Sequence, residues 1–574
     1  MRFLSYLLLL FSTPLLSQIT VSLKTPFEKG NGNQSTTYKE CILYYKNLDD
    51  NFATIKMIEK GKTDSGESLH IVIFSANKNF NFKQNKIKIL INNGIHAGEP
   101  DGIDATMLLM RDLAAGKIKI PKNTIVIVIP IYSIGGALNR NSTTRTNQNG
   151  PEEYGFRGNA RNYDLNRDFI KTDTKNTQSF KEIYHEVNPE VFIDNHVSNG
   201  ADYQYVLTYI MTEANKLGKP LGNFLQNEMM PNLVADLKIK NTETTPYVNV
   251  WNGTPKEGFS QFFESPRYTT GYTSLFNSIG FVVETHMLKE YNNRVKATYD
   301  FMVSTLDYCD INFKKIQEKR LENQQNFLNT AKYPLKWEID SSKVTKIPFL
   351  GYEGSYKKSN VTTGERLFYD KNKPYNELIN FYGNYKAVKE VIIPKAYIIP
   401  KEFWHVIDLL KLEKISLFEL KNDTIIAVES YKIADFKSYK NAFEGHYPHY
   451  DTQSTSTIAT KTFYKGDYLI NTNQKGIKFL LETLEPEAID SYFNWNFFDT
   501  ILQQKEGYSD YVFEDLANDF LNKNPTIRLE LQEKIKLDAV FAKNTDAQLD
   551  WVHKKSPYYE KAHLQYPIYR VLKN

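Results

Sequence analysis

A histidine and a glutamate three residues apart, His96 and Glu99 in Ile-His-Ala-Gly-Glu-Pro, lie just after a strongly apolar segment. A second histidine, His196, closes Glu-Val-Phe-Ile-Asp-Asn-His-Val further on. Two imidazoles and one carboxylate make the ligand set of an open catalytic zinc site, with the fourth position left for water or substrate, and the mixture of nitrogen and oxygen donors suits zinc. A His-x-x-Glu pair alone arises by chance in a chain this long, so the reading needs further residues. Phe156 to Phe169 packs Arg157, Arg161, Asp164, Asn166 and Arg167 into one short polar loop. Arginine's planar fork suits a carboxylate, and Asn166 adds amide donors beside Arg167. The bland alternative is a solvated arginine-rich loop, which the nearby metal candidates disfavour. In Gly280-Phe-Val-Val-Glu-Thr-His-Met, Glu284 interrupts an apolar run, and a carboxylate there needs a partner or a task. Beside an activated water that task is general-base chemistry. His286 shares its face by strand alternation, although a hydrogen-bonded core histidine is the commoner fate of such a residue.

The elements that must position these groups follow from periodicity. Lys86 to Asn92 reads as a strand and Asp101 to Ala115 carries helical apolar spacing, which puts His96 and Glu99 on a strand-to-helix loop. That end of a parallel sheet is where α/β proteins place ligands. Further strands are expected at Thr124 to Ile131, Glu190 to Val197, Tyr203 to Ile210 and Phe281 to Met287, and helices at Thr174 to Val187, within Met211 to Leu237, and at Asn292 to Tyr308. Phe313 to Asn329 reads as a long solvated helix leading out of the domain.

The order of motifs, His-x-x-Glu, then Asp-x-Asn-Arg, then a lone His, then a strand-borne Glu, resembles the zinc carboxypeptidases of the carboxypeptidase A type, from about Thr37 to Asp307. The resemblance implies an α/β fold, a mixed, mostly parallel sheet with helices on both faces. It implies one zinc ion on His96, Glu99 and His196, with Glu284 as general base and a peptide with a free C-terminal carboxylate as substrate. Asn166 and Arg167 match the pair that grips that carboxylate, and Arg157 matches the arginine that polarises the scissile carbonyl, with Arg161 its competitor. Asp164 matches a carboxylate that orients a ligand histidine, and is expected to touch His96. The family's mobile tyrosine has two candidates here, Tyr268 and Tyr272, of which Tyr272 is preferred.

At 574 residues the chain is too long for one core. A catalytic domain is expected over 24–329 and an accessory domain rich in β structure over 333–574. Strands are read there at Ala396 to Ile399, Ile415 to Leu420 and Thr424 to Val428, and helices at Pro400 to Leu412 and Lys475 to Thr483. The His- and Tyr-dense run from Glu444 reads as a hydrogen-bonded loop, and Tyr492 to Phe498 as an interdomain or core contact. Residues 1–17 have a basic start followed by a short apolar run, as in a signal peptide, so secretion or periplasmic export is expected, without stable membrane insertion after cleavage. Two cysteines, Cys41 and Cys309, are too few for a disulfide framework. A net charge of +4 with no long basic run argues against nucleic acid as a partner. Two other readings compete: an amidohydrolase of the same scaffold acting on cell-wall stem peptides, and an inactive peptide- or glycan-binding module. Retention of Glu284 argues against the last.

Overall fold

Runs of β-branched and aliphatic residues become the main sheet in the computed structural model, which describes residues 23–573. The signal peptide read over 1–17 lies outside the described residues. In chain order the first strands are β1 (Ile55–Lys62), β2 (Ser68–Phe74), β3 (Ile87–Asn93), β4 (Thr124–Ile129), β5 (Val191–Ser198), β6 (Leu207–Met211), β7 (Thr244–Pro246), β8 (Phe259–Ser260) and β9 (Ile279–His286). All but β8 form one sheet in the order β1-β2-β4-β3-β5-β9-β6-β7. Its centre, β4, β3, β5 and β9, is parallel. The pairs β1/β2, β2/β4 and β6/β9 are antiparallel, so the strand directions are mixed. Every residue of β3, β4 and β5 is buried, because a central strand covered on both faces has no solvent side. The helix Asp101–Ala114 packs on Tyr291–Ile311, and Lys175–Val187 lies against β1.

Several boundaries differ from the sequence reading. The strand expected from Tyr203 begins only at Leu207, and β1 and β2 were not anticipated. Between Met211 and Leu237 the chain forms Ala214–Leu217, then Lys219–Phe224 and Met230–Ile239 joined by a π-helical turn at Leu225–Met229. Gly218 separates the first two at φ 114°, a conformation open to glycine and costly for other residues.

After the helix Phe313–Asn329 come β10 (Lys332–Ile339), the long ribbon β11 (Thr345–Lys358) and β12 (Glu365–Tyr382), and β13 (Tyr385–Ile392). A six-stranded sheet follows, built from β14 (Ala396–Ile399), β15 (Phe418–Glu419), β16 (Thr424–Ser438), β17 (His449–Phe463), β18 (Tyr468–Asn471) and β19 (Gln565–Val571). The region also holds three helices that the β-rich reading did not include, Asp510–Lys523, Pro525–Leu537 and Thr545–Lys555, which close over a small core of their own around Phe513 and Val552. Elsewhere the two halves share one core. Phe276 stacks on Phe479, Tyr272 donates to Glu413, and β8 pairs with β12. Tyr492, Phe493, Trp495 and Phe498 are buried in that shared core. Both cysteines are buried and unpaired. No helix among the described residues is long and apolar enough to cross a membrane.

Candidate active site

β3 ends at Asn93, and the turn that follows delivers His96 and Glu99 immediately before the helix Asp101–Ala114. Gly102 lets that helix press against the sheet, since a Cβ there would lie 2.3 Å from the Cβ of Asn195. His196 stands on β5, and the strand register pairs it directly with Glu284 on β9. In-register neighbours on parallel strands point to the same face, so two residues 88 positions apart meet without any loop contribution.

One donor atom each from His96, Glu99 and His196 lies within 4.8 Å of the others, and all three side chains are buried. Both imidazoles turn Nδ1 toward the Glu99 carboxylate, at 3.2 Å in each case. Their Nε2 atoms are held from behind by carboxylates, His96 by Asp164 at 2.9 Å and His196 by Asp194 at 2.7 Å. This is the arrangement that fixes tautomer and ring direction in ligand histidines. His96 Nδ1 is buried and makes no hydrogen bond, and such an orphan is costly unless something outside the chain takes it. Two imidazole nitrogens and a carboxylate converging with open space beside them fit a tetrahedral divalent cation with one free position.

The neighbouring strand position is different. Glu284 makes no side-chain hydrogen bond, and its Oε2 is buried without a partner. Burial drives its pKa up to about 8, with His196 opposing and the charges of Glu99 and Glu264 adding to the rise. Glu264, also raised by burial, accepts Oε2 bonds from the Thr270 amide and hydroxyl. For Glu99, burial works the same way, yet His96 and Arg145 hold its carboxyl well below the usual range. Asp164 is likewise held low against its burial by His96 and Arg157.

His96, Glu99, His196, Glu264 and Glu284 line one cleft of about 570 Å³. Arg157, Asn166, Arg167 and Tyr268 line it too. Asp164 caps the short turn Leu165–Arg167 by accepting from the Asn166 amide, and its second oxygen takes Nε and Nη2 of Arg157. The Asn166 side-chain oxygen accepts from the Thr269 amide, which leaves its NH2 without a partner among the described residues. Arg167 lies 4.4 Å from the centre of the Tyr268 ring.

Three residues singled out in the sequence stand elsewhere. Tyr272 is fully buried in the shared core, with its hydroxyl 2.6 Å from Glu413 and its ring packed on Tyr184 and Phe276. Tyr268, at the helix entrance, is the tyrosine that faces the cleft. Arg161 is half-exposed and donates to the Asp173 carbonyl. His286 is a core histidine, with Nε2 2.8 Å from the Ala201 carbonyl oxygen. Three residues of the site escaped the sequence reading. Asp194 was legible, two places before His196 on one strand and therefore on one face. Arg145 donates Nη1 to Glu99 at 2.8 Å from a Thr- and Asn-rich loop without pattern, and Glu264 gave no signal either.

Residues 43–217 match the family model described as zinc carboxypeptidase. The chain is 21% identical over 460 residues to carboxypeptidase 2 of Trichophyton rubrum, covering 75% of this chain and 78% of the relative. It is 22% identical over 458 residues to carboxypeptidase 2 of Trichophyton tonsurans, with the same coverage. Among solved structures, a metallo-carboxypeptidase from Burkholderia cenocepacia aligns with a TM-score of 0.36 at 12% identity, over 48% of this chain and 70% of that one. The carboxypeptidase A of Helicoverpa armigera aligns with a TM-score of 0.36 at 13% identity, over 50% and 74%. The three convergent donors make this a candidate metal centre. Over residues 43–217 the chain is similar to zinc carboxypeptidases, and its similarity to the fungal carboxypeptidases extends over three quarters of its length, which indicates a peptide hydrolase.

Proposed function

We propose that the protein is an exported, single-zinc carboxypeptidase that removes residues from the free C-terminus of peptides, with Glu284 as general base. The observation that carries the reading is the sharing of one cleft by the three convergent donors, the unbonded Glu284 carboxylate and the Asn166–Arg167 pair. Zinc, when held by His96, Glu99 and His196, supplies Lewis-acid polarisation and a lowered water pKa.

The remaining steps belong to the chain. Arg167 and the NH2 of Asn166 bind the terminal carboxylate by charge-assisted hydrogen bonds. Fixing that end sets the last peptide bond over Glu284 and confines cleavage to a chain terminus. Glu284 takes a proton from the attacking water and delivers it to the departing amine, a relay that needs a carboxyl able to change state near neutral pH. Arg157, half-exposed at the cleft while anchored on Asp164, donates to the carbonyl oxygen as negative charge develops there. Tyr268 packs over Arg167 and walls the carboxylate site.

Export is supported by the basic and apolar start of the chain. Mass measurement of protein recovered from outside the cytoplasm checks it: loss of about the first 17 residues is expected. The activity is tested by incubating zinc-loaded protein with a peptide panel and weighing the products. Single C-terminal residues should be released, and both a chelator and Glu284→Gln should stop the release. Intact peptides with cleaved cell-wall stem peptides would move the assignment to an amidohydrolase of the same fold, and zinc binding without any cleavage would leave a binding module.

A further inference from the structure

We propose that Glu444, at a hairpin tip in the C-terminal region, is a positioning residue for the active-site loop, so that the C-terminal half completes the catalytic site. The proposal rests on the reading of Asp164 as the support of metal ligand His96. Glu444 Oε2 accepts the backbone N–H of Asp164 at 2.8 Å. Asp164 in turn holds His96 Nε2, the Asn166 amide and Arg157. One carboxylate from outside the catalytic sheet therefore sets the residue from which the metal side and the substrate side of the loop both hang.

The tip is built for that contact. Phe443 and His446 bond each other through both backbone groups, and the two residues between them, Glu444 and Gly445, have φ of 50° and 80°. Positive φ at both central positions is the tight hairpin geometry that favours Asn, Asp or Gly. A glutamate held there carries backbone strain that an asparagine-type residue would not. Gly445 fits against the loop, since a Cβ would lie 2.7 Å from the Tyr163 hydroxyl. Beside the tip, His446 Nε2 contacts Asp173 at 2.8 Å, and Phe443 stacks on the buried Trp495. A second tie crosses nearby: Asp490 accepts from the amide and Nε of Arg267, the residue before Tyr268. The Asp164 loop and the Tyr268 turn are thus both braced by the C-terminal half.

A bond to a backbone N–H needs an acceptor of the right reach, and it does not need a charge. Glutamine keeps both reach and acceptor, aspartate keeps the charge but is one methylene short, and alanine removes everything. The zinc dissociation constant, read by competition with a chromophoric chelator, and KM for a peptide substrate should each rise about tenfold in Glu444→Ala and Glu444→Asp, the low end for outer supports of a metal ligand. Glu444→Gln should match the wild type in both, with thermal unfolding followed in parallel. Folded Glu444→Ala with unchanged zinc affinity and KM would overturn the proposal, as would Glu444→Gln as impaired as Glu444→Ala. If Glu444→Ala does not fold, the Asp and Gln variants decide, and wild-type behaviour of Glu444→Asp overturns it. Wild-type protein that binds zinc yet cleaves no peptide would sink the hydrolase reading instead, while the zinc-affinity comparison still tests the brace.

Discussion

Two neighbouring regions of one cleft hold carboxylates in opposite conditions. Beside His96 and His196, Glu99 is surrounded by two imidazoles, Arg145 and the Val197 amide, and is held well below the usual carboxylate range in spite of its burial. On the adjacent strand Glu284 has no side-chain hydrogen bond, and burial takes it to about 8. The residue type is the same and burial pushes both carboxyls up, so neighbours decide which carboxylate stays an anion for a cation and which can carry a proton. Pairs of carboxyl groups pushed apart in this way mark division of labour in an active site.

The comparison breaks most visibly at Glu284. Glu284→Gln should lower kcat by about 10²–10⁴-fold, the span of a general acid–base contribution, while zinc uptake measured by elemental analysis stays complete. Loss of zinc together with activity would place Glu284 with the ligands and erase the distinction between the two carboxylates. Asp194→Asn should act on the ligand side, weakening zinc binding by about 10–100-fold, with kcat recovered when zinc is supplied in excess. The proton inventory sharpens the contrast. Burial raises Glu284 in the zinc-free protein, and Asp194 and Glu99 hold His196 well above its ordinary value against its own burial. Both shifts favour the protonated form, which an incoming cation opposes, so zinc binding should release protons. Calorimetry in buffers of different ionisation enthalpy should find fewer released in Glu284→Gln. The smallest effect is expected at Glu264, whose negative charge adds to the rise at Glu284. Glu264→Gln should shift the acid limb of the kcat/KM profile to lower pH, because Glu284 then loses its proton more readily.

The parts of the site legible beforehand were those that lie on regular elements or in short local motifs. His96 and Glu99 follow one strand end, Asp164, Asn166 and Arg167 share one turn, and Glu284 interrupts an apolar strand. Periodicity ties Glu284 to a face, whereas the other groups were read from residue types and from the order of motifs that the family resemblance rests on. The preference for Tyr272 over Tyr268 failed, since four residues along a short helix leave both on similar sides and only packing against Glu413 and Phe276 claims Tyr272 for the core. Arg145 was invisible for another reason. Its loop has no period, and its contact with Glu99 spans 46 positions.

The same limit governed the C-terminal half. Residues 333–574 read as an accessory region without chemistry of its own, and locally nothing contradicts that. What sequence alone determined was the set of reactive groups, the strand-loop-helix settings that carry them and the alternation that puts His196 and Glu284 where a sheet could pair them. Only the tertiary structure decided that Glu444 reaches across 280 positions to the Asp164 amide, and that one core runs through both halves. A hydrogen bond to a backbone N–H leaves no trace in the donor's side chain, so no pattern of residue types along the chain can announce it.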